Sequence, residues 1–379
     1  MSNKRVFLDN ASTTPIAPEI IDMMSEMMKS HFANPSSVHS YGRESKIVVE
    51  GARKKIAELL NTSPGSIFFT SGGTEADNMA IKCAIHDHKI THAITSRLSH
   101  HAVLFPLEDL EKEGLIKLSY VDIDKSGVIS MSHLKELLSS NPRTFVSIMH
   151  ANNEIGTIQD IKLIGDICKE HNAIFHSDTV QTMAHFPFDM QKLNVDFMAA
   201  SAHKFHGPKG IGFVYISENI RIKPLLRGGG QERNMRAGTE NVYGIAALAM
   251  AMEMAYENLE EETDYIKGLK IYMMEKLQTE LEDVQFYGKC TDMDNSLYTV
   301  LSCHFPETDI AEMLLFNLDI LGVACSGGSA CASGGSKGSH VLTEIVPESK
   351  RPGIRFSFSK YNTKEDIDFT IDKLKELFS

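Results

Sequence analysis

Short apolar runs of strand character alternate with stretches of helical spacing through the first two-thirds of the chain. That alternation narrows the possible folds more than any other feature. Ile67–Thr70 is one such run; it ends in Ser71-Gly72-Gly73-Thr74, and a helical pattern follows from Glu75 to about His88. Further candidate strands are Thr91–Thr95, Ile116–Val121, Thr144–Met149, Ala173–His176, Phe197–Ala200 and Gly212–Ile216. Between two of them, the stretch from Asp160 to Glu170 carries Ile161, Ile164 and Cys168 at helical spacing. Runs that are apolar throughout suit strands covered on both faces, so an α/β layer fold with a largely parallel sheet is expected.

After about Gly244 the pattern changes. Helical stretches at Ala246–Tyr256 and from Tyr265 to about Leu281 precede a mixture of short strands and helices. A chain of 379 residues exceeds the ~250–300 at which single cores stop growing, so two domains are expected. The expected division is a large domain over residues 15–255 and a smaller α+β domain over residues 1–14 and 256–379. The glycine- and serine-rich stretch 322–338 in the latter buries little and reads as a mobile loop.

Composition excludes several classes. A net charge of -12 argues against nucleic acid as the main partner, because phosphate binding needs a basic face. The acidic run from Asn258 to Asp264 reads as the solvated face of a helix. Six scattered cysteines make no small-domain disulfide framework. No apolar run long enough for a bilayer occurs, and Met1-Ser2-Asn3-Lys4-Arg5 opens no signal-type segment; no membrane association and a cytoplasmic setting are expected.

Several residues could carry chemistry. Gly72 and Gly73 stand at a strand-to-helix turn, where backbone N–H groups and the helix dipole attract phosphate; Thr74 serving only as a helix cap is the alternative. Lys204, in Ser201-Ala202-His203-Lys204, stands at a strand end; in an apolar cleft its pKa would fall and it could form a Schiff base, although a lone lysine is more often a surface residue. Asp178, with Gln181 three residues on, follows an apolar strand and needs a cation, such as a protonated pyridine nitrogen, unless it caps a helix. His100 of the pair His100-His101 could stack on a flat ligand; metal binding is the rival, but no ligand spacing accompanies it. Cys331 lies in a loop of small residues, where a thiolate is accessible and free to travel; a linker or a metal pair with Cys325 are the alternatives. Arg355, amid the apolar Ile354 and Phe356, must find an anion: a substrate carboxylate, or an internal partner.

Taken in order, these segments resemble the cysteine desulfurases of the class V aminotransferase superfamily. The resemblance runs from Leu8-Asp9-Asn10-Ala11-Ser12-Thr13-Thr14-Pro15 to Arg355-Phe356-Ser357, through Asn34-Pro35-Ser36-Ser37, Asn152-Asn153-Glu154-Ile155-Gly156 and Arg227-Gly228-Gly229-Gly230-Gln231-Glu232. It implies the fold-type I architecture: a mostly parallel seven-stranded sheet between helices plus a smaller α+β domain. It implies pyridoxal 5'-phosphate as cofactor, L-cysteine as substrate and a sulfur-acceptor protein, such as an iron–sulfur scaffold, as partner. By position, Lys204 would hold the cofactor, Asp178 its pyridine nitrogen and Gln181 its ring hydroxyl, with His100 stacked on the ring. Gly73, Thr74, Ser201 and His203 would bind the phosphate, and Thr239 would reach the phosphate of a neighbouring subunit, so a homodimer is implied. Asn153 and Arg355 would clamp the substrate carboxylate, and Cys331 would carry the persulfide. Cys325 and the glycine-rich run after Cys331 depart from the usual pattern and bear on the acceptor rather than on the chemistry. Another enzyme of the same cofactor class (a selenocysteine lyase or an aminotransferase) and a non-catalytic sulfur- or metal-binding module are the rival readings; Cys331 discriminates the former and cofactor absorbance the latter.

Overall fold

The computed structural model describes residues 4–141, 143–327 and 339–378. Strand β1 (Val6–Phe7) precedes helices α1 (Pro18–Ser30) and α2 (Ser40–Leu59), then β2 (Ile67–Thr70), α3 (Gly73–Asp87), β3 (His92–Thr95), α4 (His101–Lys112) and β4 (Lys117–Tyr120). The middle of the chain forms α5 (Met131–Ser139), β5 (Thr144–Ser147), α6 (Ile161–Glu170), β6 (Ile174–Asp178), β7 (Phe197–Ser201) and β8 (Gly212–Ile216). After them come α7 (Val242–Glu257), α8 (Leu259–Glu280), β9 (Gln285–Phe286), β10 (Val300–His304), α9 (Leu314–Ile320) and β11 (Val323–Ala324). The last elements are β12 (Ser326–Gly327), α10 (His340–Ile345), β13 (Gly353–Ser357) and α11 (Lys364–Phe378).

The seven-stranded sheet has the order β2-β8-β7-β6-β5-β3-β4. All its strands run one way except β8, which is antiparallel to both β7 and β2. The connection from β7 to β8, residues 202–211, is too short for the crossover a parallel neighbour needs, so the chain doubles back. Alternate residues face opposite layers. Phe69, Ile94, Val146 and Phe175 pack with Ile20 of α1, Ile56 of α2, Ile164 of α6 and Leu248 of α7. Phe68, Ala93, Phe145 and Phe197 pack with Met79 of α3 and Val103 and Leu107 of α4.

A second core lies apart. It joins Val6 and Leu8 to Leu269 and Met273 of α8, Leu301 and Cys303 of β10, Phe356 of β13 and Ile371 of α11. Its sheet has the order β12-β13-β10-β9, while β1 pairs in parallel with β11.

Three boundaries differ from the sequence expectation. Helix α3 is capped by Gly72, so Thr74 sits in its first turn and is not the cap. Helix α8 starts at Leu259 rather than near Tyr265: Glu260, Glu261 and Glu262 occupy its first turn, where the helix dipole favours negative charge. Within the expected mobile loop, residues 323–324 and 326–327 form strands β11 and β12, because their backbones pair with β1 and β13; residues 328–338, Cys331 among them, lie outside the described residues. Among the described residues no helix is long and apolar enough to cross a membrane.

One buried ion pair anchors the segment between β8 and α7. Arg53 of α2, 1% exposed, donates from NH1 and NH2 to both carboxylate oxygens of Glu232, at 2.9 and 2.7 Å. Glu232 Oε2 also accepts from the Phe69 N–H of β2, at 2.8 Å. Glu232, Arg233 and Asn234 all have left-handed φ values (45°, 55° and 66°), a conformation that needs such external fixing. Glu232→Ala leaves the buried Arg53 with the half-exposed Glu50 as its remaining carboxylate partner among the described residues and is expected to cost about 3 kcal/mol in urea unfolding. The double substitution Arg53→Met with Glu232→Leu should recover a large part of that loss.

Candidate active site

The chemistry-bearing residues converge where strands β6 and β7 end. Asp178 is the last residue of β6 and Ser201 the last of β7; His203 and Lys204 follow in a single 3-10 turn, Ala202–Lys204. In open α/β sheets this carboxyl end is where ligands bind. The N-terminus of α3 approaches from beside them. Gly72 has φ 152°, and a Cβ on Gly73 would lie 2.4 Å from Val180 Cγ2, so both positions need glycine for the helix to start this close to the β6 end. The resulting cleft, about 340 Å³, is lined by Gly73, Thr74, His100 and Asn153, by Asp178, Gln181, Ser201 and His203, and by Lys204 and Arg355. Ten residues singled out in the sequence therefore meet in one cavity.

Lys204 points its Nζ at two backbone carbonyls, donating to Ala11 O at 2.7 Å and Ser12 O at 2.8 Å. Burial, then the nearby Arg355 cation, pulls its pKa down to about 8, against the opposing pull of Asp178 and Asp9. Asp178 is 5% exposed, and its Oδ1 accepts from the Val180 N–H at 3.0 Å. Burial, reinforced by the Asp77 carboxyl, pushes it up to about 6. No helix follows β6, so the helix-cap reading of Asp178 does not hold: the carboxylate orders a turn through the Val180 N–H and also lines the cleft.

His100 also does both. Its Nδ1 accepts from the Ala102 N–H at 3.1 Å, capping α4, so a neutral ring carries its proton on Nε2. Burial holds its pKa below the ordinary histidine value. His203 is lowered to about 4, by burial and by Lys204, and its Nδ1 lies 3.1 Å from Thr13 Oγ1. Gln181 Nε2 donates to Ala11 O at 2.9 Å.

Arg355 reaches the cleft from the middle of β13. Its NH2 donates to Asp9 Oδ1 and to Ser12 Oγ, both at 2.8 Å, and its NH1 to the Asn153 carbonyl at 3.0 Å. The internal ion pair considered from sequence exists, and its acid is Asp9. Asp9 and the buried Asp77, whose Oδ1 lies 3.2 Å from His176 Nε2, carry no signal of such pairing in the sequence. Asp9 lies in the Leu8–Pro15 motif, but nothing local marks it as a partner of a residue so far along the chain.

Thr239 is exposed and does not line this cleft. Its segment is nonetheless tied to the cleft: Arg236 makes a two-point contact with Glu75 in the first turn of α3, at 2.8 and 3.1 Å. Among the described residues no group of three or more His, Cys, Asp or Glu is arranged to hold a metal ion.

The description of class-V aminotransferases matches residues 6–369. The chain belongs to that family. The cysteine desulfurase IscS of Dictyoglomus turgidum is 42% identical to it, over 99% of this chain and 94% of the relative. The mitochondrial cysteine desulfurase of Arabidopsis thaliana is 38% identical, over 98% and 82%. Among solved structures, a NifS-like protein superposes with a TM-score of 0.90 at 35% identity, covering 99% of both chains. SspA in complex with cysteine gives 0.80 at 31%, covering 94% of this chain and 100% of that one.

Class-V aminotransferases depend in general on pyridoxal phosphate, and the cleft of this one suits it. A glycine cradle at a helix start without a side-chain cap suits a phosphate, a buried carboxylate with no cationic hydrogen-bond partner among the described residues suits a protonated ring nitrogen, and an amine of lowered pKa suits an aldehyde carbon. In this family member the raised Asp178 pKa means that the folded protein binds a proton more tightly than the unfolded chain does. Asp178 therefore lowers stability progressively as pH rises from its unfolded value to about 6, and the penalty persists above that. Asp178→Asn is expected to raise the melting temperature of the cofactor-free protein by several degrees at about pH 7, and by less at about pH 5.

Proposed function

We propose that this protein is a pyridoxal-phosphate-dependent cysteine desulfurase, which converts L-cysteine to L-alanine and leaves the sulfur on Cys331 as a persulfide. The observation that carries this reading is the facing pair in the cleft: the Lys204 amine and the Asp178 carboxylate, with the Arg355 guanidinium beside them. The names of the relatives and the cysteine-bound neighbour support the same substrate. The cofactor, when bound, supplies an electron sink for the charge left on the substrate's α-carbon.

The chain's own residues divide the remaining work. Gly73, Thr74, Ser201 and His203 would hold the phosphate, Asp178 and Gln181 the ring edge, and His100 would cover the ring; Lys204 would hold the aldehyde carbon. With its amine free, Lys204 would take the α-proton, because a pKa of about 8 leaves a usable neutral fraction near neutral pH. Arg355 and Asn153 fix the carboxylate, so the reacting bonds stay in register. The Cys331 thiolate attacks the substrate sulfur. The carbon–sulfur bond breaks with its electron pair left on carbon, which is then protonated to give alanine, while a sulfur–sulfur bond forms on Cys331.

In this reading a second copy of the chain brings Thr239 to the phosphate. Exposed apolar side chains such as Phe32, Val38, Tyr41 and Ile47 are surface that a homodimer would cover. A sulfur-acceptor protein, such as an iron–sulfur scaffold, takes the sulfur onward, in a cytoplasmic, reducing setting that suits the unbridged buried thiols of Cys83, Cys168, Cys290 and Cys303.

Incubation of the loaded enzyme with L-cysteine should yield alanine together with one additional sulfur atom on the peptide containing Cys331, detected by mass spectrometry. Cys331→Ala should keep the cofactor's absorbance and lose the added sulfur; undiminished alanine output from that variant would favour another enzyme of the same cofactor class. The rate of cofactor uptake should rise with pH and level off just above about pH 8, rather than climb to the pKa of an ordinary lysine.

A further inference from the structure

Arg355 is heavily engaged by groups of the protein itself. Of its five N–H donors, both on NH2 are directed to Asp9 Oδ1 and Ser12 Oγ, and one on NH1 to the Asn153 carbonyl. The Nε–H is buried and finds no partner among the described residues. The two remaining donors, on Nε and NH1, lie on different edges of the guanidinium. A carboxylate gripped at two points needs two donors on the same edge, and every such edge includes NH2. An incoming carboxylate can therefore take a two-point grip only by displacing Asp9 or Ser12.

Asp9 is prepared for that displacement. Its Oδ1 also accepts from Ser12 Oγ at 2.8 Å and from Ser326 Oγ at 2.7 Å. If the guanidinium turns away, two hydroxyl donors remain, so the acid is not left unpaired. Backbone pairing fixes all the parts: Ser326 of β12 is in register with Arg355 of β13, and Asp9 bridges to Ser357 two residues further along the same strand. The Asp9 and Arg355 side chains are only 20% and 10% exposed, so their attraction is weakly screened.

We propose that Asp9 is the resident counter-ion of Arg355 and that the substrate's carboxylate exchanges with it on NH2. Asp9 is thereby a positioning residue that sets how tightly a carboxylate binds. It keeps the guanidinium aimed at the cleft, and it competes with any carboxylate that arrives. The inference rests on the reading of Arg355 as the carboxylate grip. Asparagine at this position keeps an oxygen for Ser12, Ser326 and NH2 but carries no charge, so it is a weaker competitor.

The test uses the loaded enzyme with propionate, a carboxylate without amine or thiol, as a competitive inhibitor against L-cysteine. Asp9→Asn should tighten propionate inhibition by about fivefold and lower KM for L-cysteine by a similar factor, with kcat no higher than in the parent. A merely structural role predicts unchanged or weaker binding of both, and that result overturns the proposal. Arg355→Lys separates the two layers of the argument. If it weakens propionate strongly while Asp9→Asn changes nothing, the carboxylate grip stands and the exchange fails; if propionate binds Arg355→Lys as it does the parent, both fail. If Asp9→Asn does not fold, a crystal structure of the parent with propionate decides. An Asp9–Arg355 separation beyond hydrogen-bonding distance, with propionate on NH2, supports the exchange; the 2.8 Å contact persisting beside bound propionate refutes it.

Discussion

The segment from Asp9 to Thr14 holds the cleft together. It accepts the Lys204 amine on the carbonyls of Ala11 and Ser12, and the Gln181 amide on that of Ala11. Thr14 donates its backbone N–H to the His203 carbonyl and accepts the His206 N–H on its hydroxyl. On the other side, Asp9 and Ser12 bind Arg355, and the Ala11 N–H donates to Ser357 Oγ of the same strand. One short strip of chain thus joins the carboxyl end of the large sheet to the middle of β13 in the second core. The individual bonds are modest, but together they fix the relative placement of amine, carboxylate and guanidinium.

Charge is arranged around that strip in a mixed order. Two cations, Lys204 and Arg355, and two acids, Asp9 and Asp178, share a partly dry space. Burial disfavours the ionised forms of both Lys204 and Asp178, which brings an amine down and a carboxyl up towards neutrality. The histidines at the rim, His100 and His203, are kept neutral by the same burial, so they can line a ligand without adding positive charge. Groups poised in this way cost stability in return for reactivity.

Much of this was legible in the amino-acid order, and the reasons differ from part to part. Strands such as Ile67–Thr70 and Gly212–Ile216 show as continuous apolar runs because both of their faces are covered. Their direction does not show: a buried run reads the same either way, and only the brevity of the 202–211 link hints that β8 turns back. The glycine pair before α3 was visible, but its true cap was not, since Gly72 serves through its backbone angle and offers no side-chain signature. Asp178 and Arg355 stand out as charges beside apolar strand residues that demand a partner, and Lys204, in a turn with histidines and glycine, stands out through their company. Asp9 does not, because its partner is 346 residues away and its own neighbourhood is polar. Thr239 is exposed and lies outside the lining of this cleft, so a single chain gives it no contact there.

Residues 6–14 are therefore structural parts of the molecule. Val6 and Leu8 fill the second core, and Ala11 and Ser12 after them line the cleft. An engineer who trims this end for crystallisation, or fuses a cargo flush against Val6, would be removing masonry rather than trailing thread. Carriers and labels belong on the far side of the molecule, or on a spacer long enough to leave β1 seated beside β11.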